Sequence, residues 1–182
     1  MLEAVPRPLF LNKALEIQGW MDPHDLEWLA AKATTHTRIC EVGCWLGRST
    51  RVLADNTAGR VFAVDHWLGS EEHQANDAKL EWVYPQFRRN LQDHIDSGKV
   101  WVVKFPSVEA AKILGHMTFD MVFIDASHDF DSVSADILAW KPLVEKGGLF
   151  CGHDGGHPPI MQALKQLLPE WRFENSMWVV EC

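Results

Sequence analysis

The sequence predicts an α/β domain built on a mainly parallel sheet, and three observations carry that prediction. Short β-branched apolar runs alternate with longer stretches of helical period, the pattern of strands joined by crossover helices. Four of the five clearest runs lead into Asp, Pro or His, the polar ends at which open α/β sheets bind ligands. The C-terminal "WRFENSMWVVEC" reads as two strands around Asn175 and Ser176, a terminal antiparallel hairpin of the kind that completes such a sheet.

The elements follow in order. Residues 1–36 form an N-terminal helical segment, in which Asp22 before Pro23 is an N-cap with proline at the first helical position. The strands are "TRICEV" (37–42), "RVFAVD" (60–65), "VWVVKF" (100–105), "DMVFID" (120–125) and "GLFCGH" (148–153). Helical segments follow the first, third and fourth strands: "GRSTRVLADN", "SVEAAKILG" and "DSVSADILAWKPLV". Another, "AKLEWVYPQFRRNLQDHI", precedes the third strand, and Pro85 is expected to kink or split it. Ser107 is read as the N-cap of its helix. With 182 residues there is room for one well-buried core, so residues 37–182 are expected to join the N-terminal segment in a single domain.

Composition narrows the partners. A net charge of -8, from 25 acidic against 17 basic residues, disfavours nucleic acid, whose binding needs clustered Lys and Arg. No apolar run approaches the ~20 residues of a membrane span, and the chain reads as cytoplasmic with no membrane partner. Cys40, Cys44, Cys151 and Cys182 form no CxxC pair and read as reduced, mostly structural thiols.

The richest chemistry lies in "EVGCWLGRST", the turn from the first strand into its helix. Gly43 and Gly47 can take backbone conformations closed to other residues and let a ligand approach the chain, while a helix starting near Gly47 offers unpaired N–H groups. The turn lacks the G-x-G-x-x-G of dinucleotide folds, and Trp45 occupies the ground a pyrophosphate would need. Glu41 would repel phosphate but pair with an ammonium such as that of S-adenosylmethionine. Asp65 closes the second strand, where an acid can accept both hydroxyls of a ribose.

On these residues the sequence resembles the class I S-adenosylmethionine-dependent methyltransferases, in the small-molecule O-methyltransferase branch with catechol-type and cephalosporin-hydroxylase-like members. "EVGCWLGRST" matches its first motif E-x-G-x-x-x-G-x-S, "AVDHWLGS" its ribose-binding strand end, and "FIDASHDFDSVSADILAWKPLVEKGGLFCGHD" its fourth strand, helix and fifth strand. The resemblance implies a Rossmann-like doubly wound sheet of order 3-2-1-4-5-7-6 with strand 7 antiparallel. It implies that Glu41, Gly43 and Gly47 hold the methionine moiety with Ser49 at its carboxylate. Asp65 would take the ribose hydroxyls, His66 or Trp67 would cover the adenine, and Ser107 would lie near that ring.

Asp125 ends the fourth strand, and His153 with Asp154 ends the fifth. Two chemistries fit. In one, Asp125 and Asp154 with His153 or His128 bind a divalent cation that lowers the pKa of an acceptor hydroxyl; His153 leaves the choice open between Mg2+ and a softer Mn2+ or Zn2+. In the other, His128 or His153 takes the proton directly, an imidazole with an ordinary pKa near ~6.5 being suited to that role. His157 reads as an exposed loop residue, and "LGSEEHQANDAKLEW" as a polar lid. The expected acceptor is a small molecule, and a homodimer could complete a site with so little substrate-binding structure of its own. The rival readings are a non-catalytic S-adenosylmethionine-binding domain and a nicotinamide-dependent oxidoreductase on a related fold.

Overall fold

The computed structural model describes residues 8–69 and 80–182. Seven strands form one sheet: β1 (Arg38–Val42), β2 (Arg60–Val64), β3 (Val100–Val103), β4 (Phe119–Ile124), β5 (Val144–Gly152), β6 (Arg172–Glu174) and β7 (Met177–Glu181). Their order is β3-β2-β1-β4-β5-β7-β6. The first five pair in parallel, and β7 runs antiparallel to both β5 and β6. This is the order that the resemblance implied.

Period-two alternation along the strands makes two separate cores. Ile39, Val61, Ala63, Met121, Phe123, Cys151 and Val179 face one layer, formed by α1 (Asn12–Leu15), α2 (Pro23–Ala33), α3 (Arg48–Asn56) and α4 (Val83–Asn90). Cys40, Val42, Phe62, Val64, Val122, Ile124, Phe150 and Trp178 face the other, where α6 (Ser107–Ile113), α7 (Phe130–Trp140) and α8 (Pro158–Leu167) pack. Both faces of the central strands are therefore buried, which is why they read as nearly unbroken apolar runs. Cys40, Cys44 and Cys151 are free and buried within this packing.

Three local readings change. Pro85 does not kink its helix: α4 begins at Val83, so the proline stands in the first turn, where its missing N–H costs no helical bond. The break comes instead at Leu91, between α4 and α5 (Gln92–Asp96). Ser107 is not an N-cap, since Pro106 holds that position. Asp22 caps α2 as expected, accepting from the Asp25 amide at 3.0 Å.

Ladder bonds at the carboxyl edge set the site. The Asp125 amide donates to Val42 O at 2.8 Å, and the His153 amide donates to Ile124 O at 3.0 Å. Glu41 within β1, Asp125 just after β4 and His153 just after β5 thus stand near the carboxyl ends of three adjacent strands.

Candidate active site

A cavity of about 590 Å³ opens at that edge, walled by the β1 turn, the end of β2, the starts of α6 and α7, and the N-terminal stretch 18–21. Gly43, Ser49, Asp65, His66, Trp67, Ser107, Asp125, His128, His153 and Asp154 all line it. Glu41 and Gly47 lie behind its wall.

The glycines at this turn also make room for protein. Gly43 has φ +89, and a Cβ there would come within 2.1 Å of the Asp125 carbonyl oxygen. Gly47 has φ +87, and its Cβ would meet Leu91 Cδ2 at 2.3 Å. Each makes room for protein: Gly43 lets β1 turn against the end of β4, and Gly47 packs the start of α3 onto α4. Glu41, within β1 just before the turn, has no solvent exposure and no hydrogen-bond partner for either oxygen among the described residues. Burial drives its pKa up to about 7, against the polar Ser49 and Thr50 beside it.

Asp65 stitches β2 to the β1 turn. One carboxylate oxygen accepts from the amides of Cys44 at 2.9 Å and Trp45 at 3.0 Å, and the other accepts from the Trp67 amide at 2.6 Å. A carboxylate accepts about four hydrogen bonds, so acceptor capacity remains toward the cavity. Trp67 is almost wholly buried against Tyr84 and Phe87, each ring centroid 4.7 Å away, and donates from Nε1 to Trp45 O at 2.8 Å. It joins the core and the cavity wall at once. The His66 ring accepts from the Leu68 amide at 2.8 Å. Of the polar lid expected from Leu68 onward, residues 70–79 lie outside the described residues.

Ser107 turns its hydroxyl inward, donating to Asp136 and accepting from Trp140 Nε1 at 2.8 Å. Asp136 had no signal of its own in the sequence, yet it lines the cavity with its pKa raised by burial to about 6.

At the far end, four titratable side chains form a chain of contacts. Asp25 Oδ2 lies 3.1 Å from His153 Nε2, His153 Nδ1 lies 3.0 Å from Asp154 Oδ2, and the same Asp154 oxygen lies 3.2 Å from His128 Nε2. With a carboxylate at each ring nitrogen, His153 is held as an imidazolium. Burial works against that charge, but Asp154, Asp125 and Asp25 outweigh it and raise the pKa to about 9. Hydrogen bonds from His128 and then His153 hold Asp154 well below the ordinary carboxylate range. Burial raises Asp125 to about 6; the nearby His153 opposes this and Asp154 adds to it.

This changes the expected grouping. His153 was the anticipated third metal ligand and a candidate base, but both of its nitrogens are engaged. The residues whose donor atoms lie within 4.8 Å of one another are Asp125, His128 and Asp154. His128 stands just before α7, whose N-cap is Asp129, accepting from the Ser132 amide at 2.8 Å. Its ring lies 5.6 Å from that of His157. Asp25 was missed because an acidic residue in a helix's first turn ordinarily complements the helix dipole; the hint was its place on the otherwise apolar face of α2.

Comparison with known proteins gives the family and supports the fold. A family model described as a methyltransferase domain covers residues 40–155. The O-methyltransferase from Bacillus cereus in complex with SAH superposes with a TM-score of 0.67 at 17% identity, covering 99% of this chain and 94% of that one. Cofactor-bound Rv0187 from MTB gives a TM-score of 0.69 at 20% identity over 94% and 86% of the two chains. The calicheamicin methyltransferase CalS11 gives 0.66 at 14% identity over 88% and 80%. These likenesses show the fold, and the family match spans more than half of the sequence, from the middle of β1 to the residue after Asp154. The chain belongs to the methyltransferase-domain family and is an S-adenosylmethionine-dependent methyltransferase.

Proposed function

We propose that this enzyme moves the methyl group of S-adenosylmethionine onto a hydroxyl oxygen of a small molecule. The observation that carries the reading is the meeting of Asp125, His128 and Asp154 in the cavity that also holds the Gly43 turn and Asp65. A hydroxyl is a weak nucleophile until its proton leaves, and these residues offer the means at the end of the cavity away from the ribose-binding acid. The cavity volume lies within the usual range of small-molecule sites, about 300–1,000 Å³.

The cofactor-side roles follow from position. Asp65 would take the ribose hydroxyls with its remaining acceptor capacity, and His66 and Trp67 would wall the adenine. Ser107, fixed by Asp136 and Trp140, would stand at the adenine edge. Glu41 would supply countercharge to the methionine ammonium from beneath the turn, with Ser49 at the carboxylate. Gly43 and Gly47 act through the backbone, by setting the turn and the start of α3. The donor brings a sulfonium methyl, so acceleration depends on aligning the acceptor oxygen with it, which can supply roughly 7 kcal/mol or more.

The residues fit a divalent cation. Two carboxylates and an imidazole lie within ligating reach of one another, and Asp125, destabilised as an anion beside Asp154, gains from a positive charge between them. Asp125, His128 and Asp154 would hold the ion, which when bound would lower the pKa of a coordinated hydroxyl. The 3.2 Å approach of His128 to Asp154 supports a second reading, in which His128 takes the hydroxyl proton itself and Asp154 steadies the resulting imidazolium. In both, His153 remains a fixed positive neighbour.

Transfer of labelled methyl from S-adenosylmethionine to phenol, sugar and hydroxylated amino-acid acceptors tests this. Chelation should abolish transfer, and added Mg2+, Mn2+ or Zn2+ should restore it. Transfer that survives chelation but drops by roughly 100-fold or more in His128→Gln would select the base reading. Methylation confined to nitrogen or sulfur acceptors would rule out the hydroxyl reading.

A further inference from the structure

We propose that Arg48 is the counter-ion for the carboxylate at the methionine end of the cofactor, an inference that rests on the cofactor reading above. Arg48 is the first residue of α3, directly after the left-handed Gly47, and it lines the cavity beside Ser49. Among the described residues it forms no ion pair. Its hydrogen bonds go to the carbonyl oxygens of Gly19 at 3.1 Å and Ile17 at 3.5 Å, and its Nε is buried with no partner. Arg51, nearly one turn later, shows what the chain does with a guanidinium it holds for itself: Asp55 and Asp93 both pair with it. A half-buried guanidinium without a carboxylate is unusual in any protein and more so in one of net charge -8.

The surroundings indicate which anion is awaited. An α-amino acid carries its ammonium and carboxylate on one carbon, so a site for it needs opposite charges a few ångströms apart. Glu41 stands beside Ser49 and Thr50 under the turn, and Arg48 stands on the same helix start. The first-turn amides of α3 add partial positive charge at that place. A carboxylate there meets a forked donor suited to it. The acceptor end of the cavity, by contrast, lies across the edge at β4 and β5, among Asp125, His128 and Asp154. Arg48 also reaches the carbonyls of the 17–19 stretch, and a Cβ at Gly19 would lie 2.9 Å from its Cδ. The N-terminal segment therefore packs on the Arg48 stem at Gly19 and holds Nη1 through two backbone carbonyls.

Calorimetric titration with S-adenosylhomocysteine and with its decarboxylated analogue, S-adenosyl-3-thiopropylamine, isolates the carboxylate. The wild-type protein should bind S-adenosylhomocysteine roughly 10- to 100-fold more tightly than the analogue, the margin of a charge-assisted hydrogen bond. Arg48→Met should erase that margin by weakening S-adenosylhomocysteine alone, and Arg48→Lys should retain part of it. Wild-type affinity for S-adenosylhomocysteine in Arg48→Met would overturn the proposal and assign the awaited carboxylate to the acceptor. Equal weakening of both ligands would also overturn it, leaving Arg48 as a strap for the Ile17–Gly19 backbone. Failure of the wild-type protein to bind either ligand would remove the cofactor reading itself.

Discussion

Glu41 shows how far a single residue can stand from its stable state. A carboxylate sealed in a central strand, with no hydrogen-bond partner among the described residues, is costly as an anion, and burial raises its pKa to about 7 against the hydroxyls of Ser49 and Thr50. The folded value lies above the unfolded one near 4.5, so the folded protein holds the extra proton between those two values. Stability therefore falls as pH rises through that window and stays lowered above it, by about 3 kcal/mol once ionisation is complete. Glu41→Gln should make the ligand-free protein more stable by up to about 3 kcal/mol at pH 8 and by little at pH 4. Urea unfolding at the two pH values checks this, and an equal gain at both would show that ionisation is not its source. The same variant should bind S-adenosylhomocysteine less well, because an arriving ammonium favours the ionised carboxylate. Residue types at the strand ends were legible in the sequence, but their pairing was not. Strand order brings Asp125, His128, His153 and Asp154 to one edge, whereas the carboxylate that engages His153 Nε2 belongs to Asp25, 128 positions away in sequence.

At the scale of elements, the turn after β1 and the helix after it are joined by contacts that the motif does not reveal. Gly43→Ala would place a methyl 2.1 Å from the Asp125 carbonyl oxygen at a φ of +89. The substitution should cost about 2–5 kcal/mol from backbone strain and overpacking together. It should also displace the end of β4, so affinity for S-adenosylhomocysteine, measured by calorimetric titration, should fall with stability. A helix-to-helix network explains a different part of the fold. Arg51 on α3 bridges Asp55, 2.9 Å away, and Asp93 on α5, 2.6 Å away, while His94 Nε2 lies 2.7 Å from Asp55. Hydrogen bonds from Arg51 hold Asp93 well below the ordinary carboxylate range. Arg51→Met leaves the half-buried Asp55 with His94 alone and should destabilise by about 3 kcal/mol, a fall of roughly 6–12 °C in Tm. Asp93→Ala should cost less, because Asp93 is half exposed.

At the scale of the whole molecule, the sheet was the most legible feature, and for a physical reason. Buried strands of four to nine residues with helical crossovers admit few right-handed arrangements, and the tail hairpin fits only as an antiparallel pair at one side. The N-terminal segment was less legible, because amphipathic helices carry no signal of where they dock. Here α2 buries Leu26, Leu29, Ala30 and Ala33 in the core shared with β1 and β4. Its polar side reaches the hairpin through Trp28 Nε1 to Glu174 at 2.9 Å and Lys32 to Glu174 at 2.8 Å, while its buried face reaches the carboxyl edge of the sheet through Asp25, 3.1 Å from His153. The family match begins only at residue 40, yet this segment supplies one wall of the cavity. Each fully buried leucine contributes about 1.5–3 kcal/mol, so losing α1 and α2 removes an amount comparable with the whole stability of a domain, about 5–15 kcal/mol. Residues 37–182 expressed alone should therefore show no cooperative thermal transition and little near-ultraviolet circular dichroism, where the full chain shows both. A sharp melt within a few degrees of the full chain would instead make residues 1–36 an appendage of the sheet, and the link from Asp25 to His153 incidental to folding.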